Sequence, residues 1–337
     1  MTNTFDIAVV GTTSLIGEAI LSLLAERKFP VGKVYALDTE QEDEEEAEFG
    51  RRSLVIDDVS VFDFSSVQLA FFAAGRAISS EYALKAAQAG CKVIDTTDLF
   101  RLEPDVPLVI PEVNPEAIHL AQRNLIASPM DTVVYTLIAL KALHDAAEIK
   151  RINIVTYQAV SSSGRSAVEG LAQETITLLN GRPIKPRVYP KQIAFNVLAQ
   201  VDGLLENGYS QTEMNLVLEI RKILNKHDLL INPTTAQVPV FFGHSSAVHI
   251  EFNQPINATT ARNLLQKAAS VTVIDGQKND GYSTPVTDAA GHDTVFVSRI
   301  RQDISSDTGL DLWLVADNIR KGAALNSVQI AELWLKN

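Results

Sequence analysis

Phe5 to Gly17 reads FDIAVVGTTSLIG. The apolar run Phe5–Val10, with its Ile and Val residues, is the pattern of a buried strand. A turn bounded by Gly11 and Gly17 follows at once, and a helical pattern then continues to about Arg27. The N–H groups at the start of such a helix suit a pyrophosphate. The usual dinucleotide fingerprint has three glycines. Here Gly11 and Gly17 remain with Ser14 between them, so the turn alone reads equally as a cofactor cradle and as a plain tight turn. As a cradle it offers Gly11, Thr13, Ser14, Leu15, Ile16 and Gly17 to the cofactor.

The next strand, Lys33–Leu37, ends in Asp38. An acidic residue at about this distance from the turn bonds the ribose 2′-hydroxyl of NAD and repels the 2′-phosphate of NADP. The acidic run Glu40–Glu48 adds to the repulsion, or is simply a solvated loop. NAD is the expected cofactor and NADP is disfavoured.

Moving outward, Ser53–Ile56, Gln68–Ala74 and Cys91–Thr96 read as further strands. Ser80–Ala89 reads as a helix closed by Gly90. Strand and helix alternating in this way imply a parallel, doubly wound sheet. Pro104–Pro115 is a crossover that its prolines hold extended. The strand Asn124–Ala127 stops at Ser128-Pro129, and Asp131 then heads an apolar helix running to about 147. Aspartate there suits an N-cap, worth about 1 kcal/mol over alanine. The same helix start also stabilises anions and thiolates, so it is a natural place for chemistry.

Beyond this helix the pattern changes. Half-apolar strands are expected at Arg151–Val160, Gln237–Phe242, Ala247–Phe252, Val271–Asp275, Thr294–Arg301 and Leu310–Ala316. Helices are expected at about 165–180, 210–226 and 258–269. Together they predict a mostly antiparallel sheet covered by helices on one face, with dimerisation covering the other. A last helix, Asn318 to about Leu335, is expected to return to the first domain.

Composition narrows the function classes. A chain of 337 residues is long for a single core and points to two domains. Hydrophobic content of 46% and charged content of 21% fit a soluble globular protein. No apolar run reaches the roughly 20 residues of a membrane span, and the N-terminus lacks a basic n-region. The net charge of −12 disfavours nucleic acid and anionic membrane as partners. The single cysteine, Cys91, excludes an intramolecular disulfide and a multi-cysteine metal site. No HExxH pattern occurs. His244 and His249 have the odd spacing that puts strand residues on opposite faces, so no metal is expected. A cytoplasmic protein follows from these features.

In order and spacing, seven segments resemble the aspartate-semialdehyde dehydrogenase family over nearly the whole chain. They are the GTTSLIG turn, Phe100-Arg101 after IDTTD, VPLVIPEVNPEAI, IASPMDT, YQAVSSSG, VPVFFGHSSAV and DNIRKGAALNSVQIAE. The resemblance implies reduction of an acyl phosphate to an aldehyde with NADPH, through a cysteine thioester. The family's nucleophile lies in a motif like asparagine-proline-small residue-cysteine-threonine. Here that motif is Ser128-Pro129-Met130-Asp131-Thr132, so Asp131 stands in the nucleophile's place. By the same resemblance the active-site glutamine is Gln158 and the acid/base histidine is His244. The phosphate-binding arginine is Arg101 and the cofactor-contacting asparagine is Asn318. The arginine that grips the substrate carboxylate is replaced by Gln237, and an acid and a lysine are replaced by Thr212 and Asn215.

The resulting fold class is α/β: an N-terminal Rossmann-like doubly wound parallel sheet plus a C-terminal α+β dimerisation domain. The expected domains are 1–130, 131–317 and a returning helix, 318–337. The chain reads as a divergent paralogue without the catalytic cysteine. It lacks the parent activity in this reading and keeps nucleotide or small-acid binding, as a homodimer or tetramer. Two alternatives stand beside this. One is an NAD-dependent oxidoreductase using Asp131 and His244 as acid and base. The other is a regulatory or scaffold homodimer. Each site residue also has a plain structural role open to it: Asp131 as a cap, His244 as a hydrogen-bonding strand end, Gln158 and the serines 161–163 as turn residues, and Arg101 as an ion pair with Glu103.

Overall fold

The computed structural model describes residues 4–39, 46–276 and 280–336. It divides into two compact units, Met1–Met130 with Ala323–Asn337, and Asp131–Gly322. The second boundary falls at 322/323 rather than 317/318.

In the first unit β1 (Phe5–Val10) leads into α1 (Leu15–Glu26) and β2 (Val31–Asp38). Then come β3 (Glu46–Phe49), β4 (Arg52–Asp58), β5 (Leu69–Phe72), α2 (Arg76–Gln88), β6 (Lys92–Asp95) and β7 (Leu125–Ala127). The sheet order is β3-β4-β2-β1-β5-β6-β7. All neighbours are parallel except the β3–β4 pair at the edge. β1 has β2 on one side and β5 on the other, so the chain changes direction across the sheet where Gly11 leaves β1. Ligands bind at such a switch point. The core joins Ile7, Val9, Leu21, Leu24, Phe71, Ile94 and Ile126 to Val328, Ile330 and Trp334 of the helix Asn326–Trp334. Lys92 Nζ donates to the Trp334 carbonyl at 3.0 Å, and Arg27 grips Glu332 with two hydrogen bonds of 2.7 Å.

Three expectations for this unit need correction. β3 was not foreseen, because its EAEF sequence lies in the acidic run; residues 40–45 of that run lie outside the described residues. α2 begins at Arg76, four residues before the expected Ser80, directly after Gly75, whose φ is +89°. The last helix is not continuous from Asn318. Arg320–Leu325 forms a wider π-type turn, and α-helix begins only at Asn326.

The second unit opens with α3 (Asp131–Ala147) and β8 (Ile149–Gln158), then α4 (Arg165–Leu179), α5 (Gln211–Leu224), β9 (Leu230–Gln237) and β10 (His244–Phe252). It continues with α6 (Ala258–Leu265), β11 (Val271–Val273), β12 (Val295–Gln302) and β13 (Gly309–Ala316). The sheet order is β11-β12-β13-β10-β8-β9. The inner strands β12, β13, β10 and β8 are antiparallel, while β11 and β9 add in parallel at the two edges, so the sheet is mixed. Of the expected strand Gln237–Phe242 only Gln237 lies in a strand, as the last residue of β9. The place of the expected strand is taken by β9, whose LINPTTAQ sequence hides it. Pro233 is tolerated because β9 is an edge strand. α3 lies on one face of the sheet, where the Tyr135 hydroxyl meets Ser246 Oγ at 2.7 Å. The other face shows half-exposed Asn153, Val155, Tyr157, Ala247, His249, Asp311 and Trp313.

Candidate active site and its departures

Three neighbouring strands end in one row under α3. Gln237 of β9 pairs with Gln158 of β8. The antiparallel register Ser245↔Tyr157 brings His244 opposite Gln158. Cross-strand partners share a face, and the Tyr135–Ser246 contact identifies this face as the one α3 covers. His244, Gln158 and Gln237 are all buried.

Asp131 meets this row from the helix. Helix geometry begins at Asp131 itself, so it occupies the first helical position rather than the N-cap. Its Oδ1 accepts the Thr132 N–H at 2.6 Å, so the carboxylate still serves a first-turn donor. The side chain is 17% exposed, and Oδ2 lies 3.3 Å from His244 Nε2. That is ion-pair distance, off the line of a direct hydrogen bond. On the other side of the ring, the Ala159 N–H donates to His244 Nδ1 at 3.0 Å. A nitrogen that accepts carries no proton, so neutral His244 keeps its proton on Nε2, facing Asp131. Tyr135 sits edge-on to the imidazole, and burial pushes its phenol up, so it stays protonated.

Gly322 explains how the helix start closes. A Cβ at that position would lie 2.6 Å from the Asp131 Cβ. Asn318 holds the opposite wall: its Oδ1 accepts from Gly243 N at 3.0 Å and Ser161 Oγ at 3.1 Å, and its buried Nδ2 has no partner. Ser162 Oγ donates to the Ala159 carbonyl, and Ser163 Oγ accepts from Tyr189. The serine run is thus a polar turn. His244 faces α3, whereas His249 faces the other side, between Asp311 at 3.2 Å and Asp303 at 3.5 Å.

Gln237 donates its Nε2 to the Gln158 carbonyl at 3.0 Å, and its buried Oε1 has no partner. Thr212, at the start of α5, bonds the Asp202 carboxylate through both its N–H (2.9 Å) and its hydroxyl (2.8 Å). Asn215 Oδ1 accepts from Gln211. Sequence reasoning missed Gly322, Ala159 and Asp202. Ala159 acts through its backbone, and Asp202 lies in a loop with no motif. Gly322 alone carried a signal, as a glycine inside an otherwise helical stretch.

In the first unit the glycine turn is closed by necessity. A Cβ on Gly17 would collide with the Gly11 carbonyl, and one on Gly11, where φ is +89°, with the Ala74 backbone. Ser14 does not strain the turn. Its backbone is extended, and its hydroxyl caps α1 by accepting Gly17 N–H at 3.0 Å. The N–H groups of Leu15 and Ile16 head the helix without an intrahelical acceptor, the arrangement that receives an anion. Asp38 binds the turn itself: it accepts from the N–H (3.2 Å) and hydroxyl (2.7 Å) of Thr13 and from Thr39 N–H at 2.9 Å. Arg101 donates to the carbonyls of Ser128 (3.0 Å) and Thr96 (2.7 Å). Cys91 is wholly buried at the foot of β6, and burial pushes its thiol up to about 12.

Residues 6–121 match the model of the semialdehyde dehydrogenase NAD-binding domain, and residues 140–321 match that of the semialdehyde dehydrogenase dimerisation domain. The chain belongs to the aspartate-semialdehyde dehydrogenase family. An aspartate-semialdehyde dehydrogenase of Shewanella sp. is 47% identical over 338 residues, covering 100% of this chain and 99% of the relative. Another, from Legionella pneumophila, is also 47% identical, covering 99% and 96%. The crystal structure of aspartate semialdehyde dehydrogenase II from Vibrio cholerae, complexed with ASA, superposes with a TM-score of 0.97 at 43% identity, covering 100% of this chain and 99% of that one. This member therefore has the family's NAD(P)-binding domain and its dimerisation domain, and the latter supports a homodimer. Among the described residues no helix is long and apolar enough to cross a membrane.

Proposed function

We propose that this member of the family does not perform the thioester dehydrogenase reaction and retains binding of a nicotinamide dinucleotide and a small ligand as a cytoplasmic homodimer. The chain's one thiol carries the proposal. Cys91 is buried, and its thiol is pushed up to about 12, so it stays protonated and unreactive. The helix start beside His244 holds a carboxylate instead. A carboxylate is a weaker nucleophile towards a carbonyl, and its acyl product would be a labile mixed anhydride. With Gln237 in place of the arginine, the carboxylate-gripping charge is absent from the same row.

The glycine turn fits a dinucleotide. Gly11 and Gly17 give the backbone room, the Leu15 and Ile16 N–H groups would receive the pyrophosphate, and Thr13, Ser14 and Asp38 line the turn. By the family resemblance Asn318, whose Nδ2 has no partner, is the proposed cofactor contact, and Arg101 is a proposed substrate-binding residue that contacts phosphate. When bound, the nicotinamide group supplies hydride chemistry. The buried carboxylate of Asp38 favours NAD over NADP.

The decisive measurement is phosphate-dependent oxidation of aspartate semialdehyde by the purified protein, with each nicotinamide cofactor. No turnover above background is expected; a rate like that of the Shewanella relative would end the proposal. A calorimetric titration showing tighter NADP than NAD binding would refute the cofactor preference. The 3.3 Å Asp131–His244 pair favours one second reading: an NAD-dependent oxidoreductase with another substrate, in which Asp131 takes the proton and His244 orients it.

A further inference from the structure

We infer that the cavity beside a bulge in β12 binds a flat aromatic ring that carries one anionic group. The inference is independent of the Asp131–His244 row, which lies on the other face of the sheet.

Strand register is the first ground. Ser298 of β12 pairs with Trp313 of β13, and Arg301 pairs with Asp311. Two residues of β12, Arg299 and Ile300, therefore stand against Leu312 alone, which is a β-bulge. In an unbroken strand Ser298 and Arg301 would point to opposite faces. The extra residue brings Arg301 onto the face of Trp313 and Asp311, away from α3, and keeps Ile300 buried. Arg299 makes the extra step with a φ of +55°, a conformation that glycine takes more readily. The bulge alone does not call for arginine there. Bulges re-aim side chains beside functional sites, and here both arginines line one cavity of about 690 Å³.

The charge and walls of the cavity are the second ground. Arg262 at its edge is bound to Asp275 through Nε at 2.9 Å and through Nη2, so these two charges cancel. Arg301 donates to the Arg299 carbonyl at 2.9 Å and stands 3.5 Å from Asp311, which also meets His249. The exposed Arg299 guanidinium makes no ion pair among the described residues. One positive charge is thus left uncompensated in a chain of net charge −12. Its fork of donors suits a carboxylate or a phosphate. Tyr282, Trp313 and Pro285 supply aromatic and apolar walls. Trp313 is fixed by its Nε1, which donates to the Ser283 carbonyl at 3.1 Å, and by the Tyr157 ring at 5.8 Å. Apolar walls with a few placed polar groups are the make-up of a small-molecule site. A cationic ligand would find both nearby carboxylates, Asp275 and Asp311, already engaged.

Naphthoate and naphthyl phosphate are the probes. Naphthamide supplies the ring without the charge, and inorganic phosphate the charge without the ring. Each is titrated into the ¹⁵N-labelled full-length protein, and the indole N–H signals of Trp313 and Trp334 are followed by NMR, with Trp313→Phe to assign them. One or both probes should shift the Trp313 signal, leave Trp334 in place, and bind at least tenfold tighter than naphthamide or inorganic phosphate. The tighter probe tells a carboxylate ligand from a phosphate ester. Arg299→Gly suits the backbone conformation and removes the guanidinium, so it should weaken binding at least tenfold without lowering the melting temperature. The wild-type comparison of naphthoate with naphthamide stands even if that variant does not fold. Naphthamide binding as tightly as both anionic probes, a shift confined to Trp334, or unchanged binding in Arg299→Gly overturns the inference. So does the absence of any Trp313 shift, which is the result if a second copy of the chain closes this face.

Discussion

The chain contains two strand–turn–helix corners, and they treat charge in opposite ways. At Gly11–Gly17 the cap is Ser14, a neutral hydroxyl that uses one N–H of the helix and leaves the Leu15 and Ile16 donors to a ligand. At the start of α3 the residue is Asp131, whose carboxylate brings its own negative charge to the helix end. The glycines of the first corner let the turn close on its own backbone, Gly17 against the Gly11 carbonyl and Gly11 against Ala74. Gly322, facing the second, lets the protein's own side chain in. A helix N-terminus is therefore a ligand site only when the chain has not already supplied the anion.

Glycine substitutions break this contrast most strongly. Gly17→Ala drives a Cβ into the Gly11 carbonyl, so it should cost about 1–3 kcal/mol of stability and abolish dinucleotide binding. Chemical denaturation and a cofactor titration read the two effects separately; unchanged binding would mean that the turn is not the cofactor cradle. Removal of the two side chains that accept from first-turn N–H groups comes next. Ser14→Ala and Asp131→Ala should each cost about 1 kcal/mol, but only Asp131→Ala should create a new phosphate site, seen as a shift of the Thr132 amide on phosphate titration. If Ser14→Ala alone gained phosphate binding, the contrast would be reversed.

The smallest effect concerns Cys91. Its folded-state proton is held up to about 12, above the ordinary thiol range, so the unfolded chain loses its proton first as pH rises. Its contribution to stability is then intact at neutral pH and is lost progressively from the ordinary thiol range up to about 12. Cys91→Ala should flatten that part of the alkaline unfolding curve. The native thiol should also resist alkylation at neutral pH, and rapid labelling of the folded protein would contradict its burial.

Most of the first unit could be read from sequence because its strands are apolar runs separated by glycine and helical patterns. β9 was misplaced for a definite reason: its polar LINPTTAQ residues lie on an edge strand, where burial does not impose a pattern, while the apolar VPVFF that follows makes no ladder. Motif order brought Asp131, His244, Gln158 and Gln237 to attention. Their polarity could not be read in the same way. That Gln237 is left with a buried acceptor without a partner depends on the Gln158 carbonyl beside it, and that His244 carries its proton on Nε2 depends on the backbone of Ala159. Both are backbone groups, and no residue type announces them. Ser14, by contrast, could have been read as a helix cap from the start, since serine before an apolar helix is a recognised signal.

The return of the C-terminal segment to the first unit has a consequence for synthesis. Asp131–Gly322 is one uninterrupted length of chain, whereas the first unit needs Val328, Ile330 and Trp334 to fill its core. On the ribosome, which releases the chain from its N-terminus, the strands that start first must wait longest. The nucleotide-binding unit is begun at residue 5 and finished only when Trp334 arrives, after the second unit has all its parts.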